Sequence, residues 1–159
     1  MQVRDAAEWA ASLPLAQALR EGAWLYPVVE TVHIVGFAVL VGAVAMFDLR
    51  VLGFGRQLPV QALARHLLPW SAGSMLLVVP TGLLLFIADP QSLLANRVFL
   101  LKLGLILAAG LNALAFHAGP YRSAAAWSQQ APALARLHAL LSLGLWIAVI
   151  ACGRMLAYF

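Results

Sequence analysis

Four long apolar stretches, separated by short polar connections, dominate the chain. Residues 23–47 are apolar apart from Glu30, Thr31 and His33, and Asp48-Leu49-Arg50 follows them. Residues 67–88, 98–118 and 137–159 repeat the pattern, with Lys102 inside the third stretch and Arg154 near the end of the fourth. Each stretch is about as long as the roughly 20 helical residues that cross a hydrocarbon core. Lipid offers no partner to an open backbone, so each is predicted to be a helix. The expected architecture is all-α: an integral membrane bundle of four transmembrane helices at about 23–48, 64–88, 97–118 and 136–158. Short loops predict an up-down order with sequence neighbours in contact. Pro27 falls in a first turn, where it is tolerated, whereas Pro69 and Pro80 predict bends. Trp24, Tyr26, Trp70, Tyr121 and Tyr158 lie near the ends of stretches, as interfacial aromatics do.

Residues 1–22 form a separate amphipathic segment with Trp9, Leu13, Leu15 and Leu19 among its apolar positions and Pro14 interrupting. It is expected to lie at the membrane interface or to dock on a partner. The longest connection, 119–135, is expected to be partly helical. Apolar contact gives no net drive in lipid, so small residues should mark the helix contacts. Gly36, Gly42, Gly73, Gly104, Ala108, Gly110 and Gly144 are the candidates.

Composition agrees with this class. Of 159 residues 64% are apolar and 10% charged, against roughly 25% charged in an ordinary soluble domain. The net charge of +4 is spread between apolar segments and makes no basic face for nucleic acid. It reads as a topology signal, with both termini outside the cytoplasm. Cys152 is the single cysteine, which excludes a disulfide framework, a C-x-x-C pair and covalent haem attachment. The chain has no Gly-rich phosphate loop, no H-E-x-x-H and no nucleophile elbow.

Candidate chemistry therefore rests on the polar residues inside the apolar stretches, where they are costly. Toward the terminal side, Glu30, Lys102 and Arg154 fall at similar depth, about 6–10 Å in at 1.5 Å per residue. An ion cluster pinning the helices, or lysine and arginine snorkelling to the interface, is the ordinary structural reading. The functional reading is that the surplus positive charge awaits a carboxylate, a quinone carbonyl or a haem propionate. His33 is one turn from Glu30 on the same face. On the loop side His66, His117 and His138 share one depth, with Arg65 and Arg136 nearby. Imidazoles ligate haem iron, copper or zinc, although a histidine at a helix end is as often an interface residue. Gly73 and Gly110, one heptad deeper than His66 and His117, offer relief for a flat macrocycle.

Leu25-Tyr26-Pro27, Glu30, His33 and Gly36, then Asp48 through Gly53, resemble an uncharacterised family of small bacterial four-helix inner-membrane proteins. So do Pro69-Trp70, Thr81-Gly82, Leu85-Phe86, Lys102, Leu111-Asn112, Phe116-His117, Gly153-Arg154 and Tyr158. The likeness covers the chain from Trp24 onward. It implies the four-helix fold and an inner-membrane location, and it singles out Glu30, His33, Lys102, Asn112, His117 and Arg154. More distantly, the first helix resembles CopD-like copper proteins and four-helix b-type cytochromes.

Three functions are expected in order of weight. The first is a haem b electron-transfer subunit acting near quinone, with iron or copper ligands drawn from His33, His66, His117 and His138. The second is a non-catalytic anchoring subunit of a larger membrane complex or homo-oligomer. The third is a metal-handling or small-solute transporter.

Overall fold

A computed structural model of the chain describes residues 3–127 and 130–158. It is helical, with no strand among the described residues. Two short helices, α1 (Val3–Ala11) and α2 (Pro14–Glu21), precede the first span, α3 (Leu25–Leu52). Then come α4 (Val60–Ala88), a short α5 (Pro90–Ala95), α6 (Arg97–Ala118) and α7 (Ala133–Met155). A 3-10 turn, Pro120–Ala126, occupies part of the connection before α7. The helices α3, α4, α6 and α7 have 28, 29, 22 and 23 residues and are long and apolar enough to cross a membrane. Only 11–28% of the most apolar stretch of each is buried within the protein, which leaves a broad apolar surface for the bilayer.

Local stop signals, and not the edge of the apolar run, set the helix ends. Thus α3 runs one turn beyond Asp48, to a glycine in the left-handed region, Gly53 at φ 109°. Its amide bonds the Arg50 carbonyl, and the Phe54 amide bonds that of Leu49 at 3.0 Å, which closes the helix as a Schellman turn. Next, α4 begins directly after Pro59, a turn earlier than expected. Asp89 and Asn96 cap α5 and α6 by accepting backbone amides, from Ser92 and from Val98 and Phe99. Phe159, where the fourth apolar run ends, lies outside the described residues.

The helix contacts correct two expectations. Helix α3 packs on α4, α6 packs on α7, and α3 meets α7 across the middle. The backbones of the sequence neighbours α4 and α6 stay apart among the described residues, and only side chains bridge them. Instead α5 spans the interval between their ends, and the Phe86 and Phe99 rings stack at 5.9 Å. The small-residue expectation holds at Gly36, where an added Cβ would lie 3.0 Å from the Leu77 Cβ. At Gly42, Gly73, Gly104, Gly110 and Gly144 a Cβ would meet nothing within 4 Å. A glycine facing lipid loses little, because the exterior needs no packing partner of its own.

The inward residues follow a heptad-like stripe on each span. On α3 these are Val29, His33, Gly36, Leu40, Ala43 and Phe47, and on α7 Ala135, Ala139, Ser142, Trp146 and Val149. Aromatic packing closes the loop-side end. Phe47 meets Phe116 at 5.8 Å and Tyr121 at 6.2 Å, edge to face, with Trp127 beside Phe116. Tyr121 therefore belongs to this cluster and not to an outward aromatic belt. At the opposite end α1 and α2 pack against α4 and α5, with Leu19 1% exposed beside Val29 and Ala88.

Candidate functional site

Polar residues on the inward stripes separate from those that point outward. The exposed ones include Glu30, His66, His117, Arg65, Arg136 and Arg154. Arg154 donates to the Tyr158 hydroxyl and lies over its ring, 4.8 Å from the centroid. No ion pair joins Glu30, Lys102 and Arg154 among the described residues. Lys102 is half-buried and reaches across to α7, where its Nζ lies 3.6 Å from the position a Cβ of Gly153 would take. The cluster drawn from depth alone thus divides: Lys102 turns inward, and its two expected companions do not.

Three inward groups remain. The first joins α3 to α4. The His33 Nδ1 is 2.9 Å from the Thr81 hydroxyl, whose own proton goes to the Leu77 carbonyl. With that proton committed, the imidazole donates through Nδ1, and the Val78 backbone also lies within hydrogen-bonding reach of the ring. Gly82 makes the approach possible, since a Cβ there would sit 3.2 Å from the His33 Cε1. Lys102 is within electrostatic reach of this ring. The second group joins α6 to α7. The Asn112 amide donates to the His138 carbonyl at 3.0 Å and its oxygen accepts the His138 Nδ1–H at 2.7 Å. Here Nε2 has no partner among the described residues.

The third group is Asp48, 6% exposed on α3, facing Ser142 on α7. Its Oδ2 is buried with no hydrogen-bond donor among the described residues. The nearby Arg50, also 6% exposed, turns away: Nε donates to the Leu58 carbonyl at 2.6 Å and Nη2 to that of Arg56 at 3.2 Å. Its charge thus staples the 53–59 connection and leaves the carboxyl without a cation, with Ser142 as its side-chain partner. Asp48 and Ser142 were missed as site residues, because an acid at the end of an apolar run looks like a membrane boundary. Helical register held the signal, since steps of three and four residues from His33 pass through Phe37, Leu40 and Val44 to Asp48.

His33 and Asp48 sit 15 residues apart on α3, about 22 Å along the axis. The edge-to-face pair of Phe37 and Trp146, 5.7 Å apart, stands in the apolar belt between them. His117 bonds the Ala113 carbonyl on its own helix at 2.8 Å. The Phe116 ring lies 5.4 Å from His117 and 6.2 Å from His138. Of the loop-side histidines, His117 and His138 thus flank one phenylalanine ring, while His66 is exposed. Among the described residues no three His, Cys, Asp or Glu side chains gather as a metal would require.

The sequence profile of the Family of unknown function (DUF6644) matches residues 7–159, and the chain belongs to that family. No curated protein and no solved structure matches it. The distant likeness to copper proteins and cytochromes gains nothing from these comparisons.

Proposed function

We propose that this member of the Family of unknown function (DUF6644) is a proton-handling transport subunit of the bacterial inner membrane, with Asp48 as its proton site. The observation that carries the reading is the buried Asp48 carboxyl with an undonated oxygen. An isolated ion in a low-dielectric interior costs several kcal/mol or more, so such a group needs a proton or a cation as companion. Intramembrane ionisable groups that turn inward are the usual stations of proton paths. Ser142 offers a hydroxyl that both donates and accepts. One turn along the same face of α7, His138 presents Nε2 as an acceptor. A proton would move from the loop-side solution to His138, to Ser142 and to Asp48. The Phe37–Trp146 belt would stop it there until the helices move.

The test is proton flux into vesicles reconstituted with the purified protein, followed with an entrapped pH-sensitive dye under an imposed potassium diffusion potential. Asp48→Asn should fall to the rate of protein-free vesicles, and Asp48→Glu should retain flux. Wild-type vesicles no faster than empty ones, or an unaffected Asp48→Asn, would overturn the reading.

A specific observation favours a second reading, haem b electron transfer. His33 and His138 each tie Nδ1 to a neighbour, as metal-bound histidines do. Each would ligate a separate group, with Lys102 near His33 to meet a propionate or a quinone carbonyl. Protein purified after growth with ample haem should then show a Soret band that His33→Ala or His138→Ala removes. A colourless preparation would reject it.

A further inference from the structure

At the terminal-side end, where α1, α2, α3, α4 and α5 meet, lies an open cleft of 530 Å³ lined by Arg20, Tyr26, Asp89 and Gln91, with Ala11, Ala88 and Pro90. That volume falls within the roughly 300–1,000 Å³ of small-ligand sites. Arg20 is fixed in it. Its Nη1 donates to the Ala88 carbonyl at 3.1 Å and its Nη2 to that of Ala11 at 2.8 Å, the C-terminal carbonyls of α4 and α1. These use two of the five guanidinium donors and leave three. Asp89 spends Oδ1 on the Ser92 amide at 3.3 Å, which leaves Oδ2. Arg20 and Asp89 line the same cleft, yet no ion pair joins them among the described residues. A fixed cation and a fixed anion thus stand apart across a space open to the outside.

We infer that this cleft binds the headgroup of a zwitterionic phospholipid with a primary ammonium, the phosphoethanolamine group. Its phosphate accepts from the free donors of Arg20, as guanidinium favours. Its ammonium donates to Asp89 Oδ2, and the Tyr26 hydroxyl completes the wall. A headgroup carrying only negative charge would satisfy Arg20 but leave Asp89 facing it, with Glu30 within electrostatic reach of Tyr26. The position suits a lipid: the cleft sits at the last turn of α4 and the first of α3, where a span leaves the hydrocarbon. Two residues along the chain from the lining residues Tyr26 and Ala11 are Trp24, 79% exposed, and Trp9, 66% exposed, side chains typical of the headgroup layer.

Retained lipid tests this. The protein is placed in nanodiscs holding equal amounts of phosphatidylethanolamine and phosphatidylglycerol with matched chains, extracted into mild detergent, and its bound lipid counted by mass spectrometry. Wild type should retain the ethanolamine lipid several-fold over the glycerol lipid. Asp89→Asn keeps a residue that caps α5 but removes the charge, and should bring that ratio to one. Tyr26→Phe should lower it partway with the fold intact. Equal retention by the wild type, or an unchanged ratio in Asp89→Asn, would overturn the assignment. Displacement of the lipid by an equimolar amount of soluble glycerophosphoethanolamine would move the site to a free small molecule and overturn the lipid source.

Discussion

Asn112 and His138 hold each other twice, amide to carbonyl at 3.0 Å and imidazole to amide oxygen at 2.7 Å, and so lock α6 to α7 near the loop side. Both bonds depend on one side chain. Asn112→Leu should therefore leave the half-buried His138 Nδ1–H unpaired and remove the second bond to a carbonyl that α7 itself still engages, at a cost of about 1–2 kcal/mol, the upper part of the range for hydrogen bonds between membrane helices. Unfolding in mixed detergent micelles measures this, and His138→Ala on top of Asn112→Leu should add little.

Glycines give a paired prediction. Gly36→Leu drives a side chain into Leu77 and Val78 of α4, where a Cβ alone would already sit 3.0 Å away. It should destabilise by about 1–3 kcal/mol, as overpacking does. Gly110→Leu points into open space and should stay within about 0.5 kcal/mol. The same unfolding assay separates the two.

The 53–59 connection should depend on the shape of the Arg50 head more than on its charge. The guanidinium reaches the Leu58 and Arg56 carbonyls together, and a lysine ammonium does not reproduce that fork. Arg50→Lys should lose about 1–3 kcal/mol and make the connection a protease-sensitive point, read by limited proteolysis in detergent.

His33 should carry its proton on Nδ1, because the single Thr81 hydroxyl proton is already given to Leu77. Nitrogen-15 NMR of labelled imidazole reports the tautomer directly. Thr81→Val should release the ring and shift the population toward Nε2–H.

The four spans were legible in the sequence because hydrocarbon imposes their length and apolarity. Their polar interior was legible only in part. Depth can be counted along a chain, and the count sets Glu30, Lys102 and Arg154 toward one side. Facing direction cannot be counted so simply, because the lipid face is as apolar as the protein face and no amphipathic contrast tells them apart. Lys102 turned inward while Glu30 and Arg154 turned out. The separation of the α4 and α6 backbones was hidden for a related reason, since a short connection implied close packing and α5 instead spans the interval. Asp48 escaped notice because its neighbour Arg50 made the pair look like a solvent-facing boundary, when both are buried and neither serves the other.

Infrared difference spectroscopy across a pH change bears most directly on whether Asp48 takes up and releases a proton inside the folded protein. The predicted result is a protonated-carboxyl band, shifted in heavy water, that vanishes in Asp48→Asn and persists in Asp89→Asn. A spectrum left unchanged by Asp48→Asn would contradict the account.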